Sequence, residues 1–260
     1  MRIGEGSREE VVLPSLAHAQ VLVPVLLPDP DPLPGPLARL LPGLDLLVVG
    51  IYEVPKQTAA EQARDEFGEE AEEALERWSR DLRHDVGDVE TRLVFSQEPL
   101  ASIERIGAEE HPDAILVPRP VGEESIGQIL VPVRSDANAE RIARFVAAIA
   151  DAAHAGVLVV HAAGPDEGGG DRGSVVDGFR RRLVDEGIDD ERIETDVVEG
   201  DDPASVIIDE AGRHHLVVVG ESEPDDPEVV FGDLTRRVAR EIERPVLVAR
   251  AERDGSDEGG

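Results

Sequence analysis

Two strand-forming hexapeptides, Gln20-Val-Leu-Val-Pro-Val25 and Gln128-Ile-Leu-Val-Pro-Val133, make the chain repeat itself. The run from Thr91 through Pro99-Leu-Ala-Ser-Ile103 has the layout of Thr195 through Pro203-Ala-Ser-Val-Ile207. In both, a strand passes through an acidic turn into a helix opened by proline, whose missing N–H costs nothing at the first helical position. A further aliphatic strand follows each time, Ala114 to Val117 and Leu216 to Val219, and corresponding pieces lie roughly 102 to 111 residues apart. So many ordered matches at a near-fixed period constrain the fold before any other argument. A length of 260 residues admits one large α/β domain or two small ones, and the repetition favours two.

Short apolar runs alternate with acidic stretches of helical spacing, the pattern of a mostly parallel sheet with helices on its faces. Strands are predicted at 20–26, 45–52, 90–95, 114–118, 128–133, 156–162, 193–199, 215–220 and 245–249. Helices are predicted at 58–84, 99–110, 137–154, 173–186, 203–213 and 232–243. On the 58–84 helix, Ala63, Phe67, Ala71, Ala74, Leu75 and Trp78 form the apolar stripe, and Asp65, Glu66, Glu69, Glu70, Glu72 and Glu73 the solvated face.

The halves are unequal. After its first strand the N-terminal half has Pro28-Asp29-Pro30-Asp31-Pro32 and then only a short apolar stretch around Leu37 to Leu41, too proline-bounded for a full helix. After 114–118 it runs through Arg119 to Ser125 straight into the next repeat, so the helix and strand at 232–249 have no counterpart; that strand is either shared or lost. The expected organisation is an N-terminal extension over 1–19, a truncated repeat over 20–124, a complete one over 125–250 and a disordered acidic tail over 251–260. A Gly/Asp loop at 164–173 should be mobile.

Charge narrows the partners. Asp and Glu number 57 against 26 Lys and Arg, for a formal net charge of −31, and Lys56 is the single lysine. In dilute buffer these carboxylates repel one another; at 1 M salt the Debye length falls to about 3 Å and most of that repulsion disappears. The acids are spread along the whole chain, which points to adaptation to a salty cytosol rather than to one acidic binding face. No Lys/Arg cluster offers a phosphate-backbone footprint, so nucleic acid is not an expected partner. The absence of cysteine excludes disulfides, thiolate metal sites and cysteine nucleophiles. The start MRIGEGSREE lacks the features of a signal peptide, and the longest apolar runs fall far short of the roughly 18 to 20 residues that span a bilayer. A soluble, cytoplasmic protein without membrane insertion is expected.

The second half resembles a universal stress protein domain over Ile126 to Arg250. The resemblance rests on the opening strand Ile129-Leu-Val-Pro-Val133, the turn Val197-Val-Glu-Gly-Asp-Asp-Pro-Ala-Ser205, the strand Leu216-Val-Val-Val-Gly220 and the closing Arg244-Pro-Val-Leu-Val-Ala-Arg250. The first half is similar over 20–118. What this implies is a pair of adenine-nucleotide-hydrolase-like (flavodoxin-like) open parallel sheets with helices on both faces, the first repeat incomplete, often dimeric, with ATP bound in many members beyond the carboxyl ends of the strands.

Such a site belongs at the switch point of a doubly wound sheet, where a Gly-rich turn and a helix N-terminus offer backbone N–H groups to phosphate. In ATP-binding relatives the loop reads Gly, two residues, Gly, nine residues, Gly, then Ser or Thr. This chain has Gly220, then Glu223 where the second Gly belongs, one residue fewer before Gly232, and Asp233 where the hydroxyl belongs. A lost glycine lets a side chain intrude on the phosphate path, and Asp233 sets a carboxylate at the helix end that should face an anion. Glu221, Asp225, Asp226 and Glu228 add like charge. After the first strand of this half, Val133 leads into Arg134-Ser135-Asp136 in place of the acidic Val-Asp-Gly-Ser-like turn of nucleotide binders; the first half has Leu26-Leu27-Pro28 there and lacks the phosphate loop altogether. The candidate nucleotide-contacting set is therefore Val133, Arg134, Gly220, Gly232 and Asp233. The plainer reading makes 220–233 a strand end and a helix cap, and a cation on the acids is a further alternative. Arg134 is either a phosphate grip or the ion-pair partner of a neighbouring acid.

His161 lies near the end where ligands would sit, against the simpler reading of a hydrogen-bonded core histidine. Adjacent His214 and His215 point to opposite faces of a strand and do not chelate one ion together, so no metal site is expected. No Gly-x-Ser-x-Gly, Walker or His-Glu-x-x-His motif occurs. The expectation is a non-catalytic regulatory or adaptor protein with no resident cofactor. It would homodimerise along the edge strand 245–249 and serve a transporter or another regulated protein. The alternatives are an adenine-nucleotide sensor or weak ATPase using the 220–233 loop, with ATP as ligand, and a cation-dependent hydrolase.

Overall fold

The computed structural model describes residues 16–86, 88–121, 125–136, 138–163, 172–221 and 233–251. In chain order the elements are β1 (Gln20–Leu27), α1 (Gly35–Ala38), β2 (Asp45–Glu53), α2 (Ala60–Val86), β3 (Val89–Ser96), α3 (Pro99–Glu110) and β4 (Ala114–Val117). There follow β5 (Gln128–Pro132), α4 (Ala139–Ala153), β6 (Gly156–Ala163), α5 (Arg172–Asp185), a 3-10 turn (Asp190–Arg192) and β7 (Ile193–Glu199). The chain closes with α6 (Pro203–Ala211), β8 (Leu216–Gly220), α7 (Asp233–Glu241) and β9 (Val246–Ala249). The Gly/Asp loop at 164–171, the loop residues 222–232 and the tail 252–260 lie outside the described residues.

The nine strands of the described residues join one sheet, in the order β3-β2-β1-β4-β9-β8-β5-β6-β7. This replaces the expected two sheets. The second half contributes five parallel strands, β7-β6-β5-β8-β9, and the first contributes β3-β2-β1-β4, also parallel. The seam is antiparallel: β4 pairs with β9, Ala114 opposite Ala249 and Val117 opposite Val246. The strand with no counterpart in the first half is thus shared. It also overturns dimerisation along 245–249, because β9 has β8 on one side and β4 on the other and offers no edge.

Alternation along each strand divides the core. On β1, Val21, Val23, Val25 and Leu27 face one layer and Leu22 the other; on β2, Leu46 and Val48 oppose Leu47, Val49 and Ile51. The first layer holds α1, α2, α4 and α5, with Ala71, Leu75, Phe145 and Phe179 among its buried side chains. The second holds α3 and α6, through Ile103, Ile106 and Ile207. On α2 the predicted stripe is buried or half-buried and the named acids are exposed. Trp78 also donates its indole N–H to the Asp31 carbonyl at 2.9 Å, tying the proline-rich turn to the helix.

Where the second half has the long helix α4, the first has only four-residue α1. The space is filled from both sides: Leu37, Leu40, Leu41 and Leu44 meet Phe145 and Ile149 of α4, leaving an apolar void of ≈ 20 Å³. A void of that size, about one water, is closed core rather than a ligand pocket.

Candidate functional site

Because β4 and β9 run in opposite directions, the two halves present the carboxyl ends of their parallel strands at opposite ends of the sheet. The candidate nucleotide site of the second half therefore stands alone, built from the ends of β5, β6 and β8 and the beginnings of α4 and α7.

Val133 continues β5 by one residue. It is buried, its N–H donates to the Val160 carbonyl at 2.9 Å, and its carbonyl accepts from His161 Nδ1 at 2.9 Å. His161 is thus a buried histidine that laces β6 to β5. Arg134, Ser135 and Asp136 are exposed at the mouth, and Asp136 pairs with Arg182 of α5 at 3.1 Å. The turn ends at Asn138, whose left-handed backbone (φ 55°) leads into α4.

Gly220 ends β8 half-buried, and a Cβ built on it would come within 2.6 Å of Ile142 Cδ1 on α4. The missing side chain lets helix and strand approach. Position 233, where the resemblance calls for a hydroxyl, holds Asp233, and the nearest hydroxyl downstream is that of Thr235. Buried in the first turn of α7, it places Oγ1 3.5 Å from the Gly220 carbonyl. Only its being the nearest hydroxyl residue downstream of Gly232 could have signalled it. Asp233 opens α7, and Gly232 lies outside the described residues.

Glu221 does not join an acidic fence. Its N–H donates to the Ala249 carbonyl at 2.8 Å and its side chain, 6% exposed, turns inward to Arg250, which is 10% exposed, at 3.0 Å. The other carboxylate oxygen accepts from the Ala251 N–H at 2.9 Å. Arg250 in turn donates to the Gly107 carbonyl of α3, and its backbone N–H to the Asp113 carbonyl at 3.0 Å. The residue that follows the candidate phosphate-binding glycine is therefore a structural tie between the two halves. Two further ion pairs cross the same seam, Arg141 with Asp113 and Arg236 with Glu104, the latter at 2.6 Å.

On the neighbouring helix, Asp202 caps α6, accepting from the Ala204 N–H at 3.2 Å and the Ser205 hydroxyl at 2.7 Å, and meets Arg237 of α7 at 2.5 Å. The Ser205 hydroxyl and then the Arg237 guanidinium hold its carboxyl below the usual aspartate range. Arg237 is drawn toward α6 and toward Glu241 at 3.0 Å. His214 and His215 are engaged by backbone. His214 Nδ1 lies 2.9 Å from the Glu210 carbonyl, and His215 Nδ1 accepts from the Gln128 N–H at 3.2 Å. Among the described residues no group of three or more His, Asp or Glu side chains could hold a metal ion, and no helix is long and apolar enough to cross a membrane.

This α/β architecture has counterparts among known proteins. Residues 125–250 match the universal stress protein family, so the second half carries a domain of that family. A universal stress protein from Archaeoglobus fulgidus superposes with a TM-score of 0.60 at 13% identity, over 89% of this chain and 98% of that one. A functionally unknown protein from Pseudomonas aeruginosa gives 0.50 at 16% identity, over 91% and 94%. At these identities the likeness is one of fold. No curated protein matches the chain.

Proposed function

We propose that this is a non-catalytic regulatory or adaptor protein of the universal stress class. A complete domain over 125–250 and a truncated relative over 20–124 act together, in a salt-rich cytosol, through contacts with a transporter or another regulated protein. The observation that carries this reading is the use made of the candidate phosphate loop's first residues. Gly220 is packed against Ile142, and Glu221 is drawn into a buried pair with Arg250. Opening that stretch around a triphosphate would uncouple Glu221 from Arg250, leaving a buried charge without its partner. The acids that follow add like-charge repulsion. Injection of ATP with Mg²⁺ in molar KCl should release no heat and leave the melting temperature unchanged at millimolar ligand.

The second reading, an adenine-nucleotide sensor or weak ATPase, is favoured by one feature: Thr235 sets a hydroxyl at the start of α7 beside Gly220, within a strand-end architecture suited to phosphate. Saturable heat on ATP injection, lost in Thr235→Val and in Arg134→Ala, would establish it in place of the first.

A further inference from the structure

With β9 interior, the sheet ends at β3 and β7, equivalent strands of the two halves. Their edges differ in chemistry. Leu46 N–H donates to the Asp88 carbonyl and Val54 N–H to the Ser96 carbonyl, so even-numbered residues of β3 direct their backbone groups to β2. The N–H and C=O groups of Val89, Thr91, Leu93 and Phe95 consequently face outward. The same argument on β7, from Gly200 N–H donating to the Ala163 carbonyl, leaves its odd-numbered backbone groups outward and puts the side chains of Glu194 and Asp196 in the positions between.

An antiparallel partner brings its side chains closest at those in-between, non-hydrogen-bonded positions, about 4.5 Å between Cα atoms. On β7 both charges there are acidic and exposed, so self-pairing sets acid against acid. On β3 they are Glu90 and Arg92. A two-fold axis at Thr91 places Glu90 opposite Arg92 of the second copy, and the reverse, with Val89 opposite Leu93. A register shift of two residues either way sets Arg92 against Arg92 or Glu90 against Glu90. One register is thus selected by charge. The edge is also accessible: a cleft of ≈ 390 Å³ straddles it, lined by Glu61 and Arg64 of α2 on one face, Leu93 and Phe95 of β3, and Arg105 of α3 on the other.

We propose that two copies of this chain pair through β3, antiparallel about Thr91, extending the sheet across the dimer. The groups facing the contact are accounted for. Arg92 already meets Glu110 at 2.6 Å and Glu109 at 2.8 Å, and Arg105 meets Glu109 at 2.6 Å. Those two contacts leave Arg92 with further N–H donors for an incoming Glu90. Closure about a two-fold also fixes the stoichiometry at two.

Sedimentation of the full chain in molar KCl and at physiological salt tests this. A dimer is expected, with Glu90→Arg and Arg92→Glu each weakening it roughly tenfold or more at physiological salt and less in molar KCl, since each converts two attractive cross-strand pairs into repulsive ones that salt screens. The double exchange, Glu90→Arg with Arg92→Glu, should restore it. Glu90→Arg leaves the Arg92–Glu109 and Arg92–Glu110 contacts in place, and unchanged circular dichroism would exclude misfolding as the cause. A monomeric wild type, a dimer indifferent to both single changes, a double variant no better than the singles, or open-ended association would each overturn the proposal.

Discussion

At the scale of single residues, burial decides what a charge does. Glu221 and Arg250 were both visible in the sequence, one in an acidic loop and the other at the end of the closing strand motif, but only the fold places them against each other under nearly complete burial. Removing one partner of such a pair leaves an uncompensated buried charge, at a cost of about 3–5 kcal/mol, whereas replacing both by apolar residues is often close to neutral. Glu221→Ala should therefore lower the stability read from denaturant unfolding by about that amount, and Glu221→Leu combined with Arg250→Met should recover most of it. Equal losses in the single and double variants would mean that the pair contributes packing rather than charge compensation. His161 illustrates the same rule in milder form. Its place near the carboxyl end of a predicted strand set it at the ligand end of the sheet, and its surroundings make it the hydrogen-bonded core histidine of the simpler reading, a lace between β5 and β6.

At the scale of elements, the strands and helices follow from local pattern with shifts of one or two residues, because aliphatic alternation and proline-opened helices are local signals. The 99–110 helix and the 193–199 strand fall where they were predicted. What was not local was missed. The role of Gly220 depends on Ile142, almost eighty residues earlier, and Thr235 depends on how α7 begins. Gly220→Ala should destabilise by about 1–3 kcal/mol through overpacking against α4, and Ile142→Val, which removes the clashing δ-methyl, should relieve much of that cost in the double variant. Additive losses in a thermal-melt cycle would argue that the glycine serves a loop conformation instead.

At the scale of the whole molecule, two opposing electrostatic effects can be ranked. Ion pairs such as Arg92–Glu110 favour the fold, but pairs this exposed contribute at most about 1 kcal/mol each and weaken in salt. The formal charge of −31 disfavours any compact state and is screened by salt. Repulsion should win: the melting temperature should rise as KCl goes from dilute to molar, and a fall over that range would show that the ion pairs dominate. The same scale separates what the residues alone determine from what folding adds. The repeat, the α/β class and the short, proline-bounded stretch that follows β1 are legible from spacing and residue type, all of which are linear properties of the chain. That the halves share one sheet, that β9 is interior and that the free edges are β3 and β7 were decided only by tertiary structure. An unpaired strand edge carries no sequence label, and the partner that covers it is fixed by whichever other edge the whole fold brings within hydrogen-bonding reach.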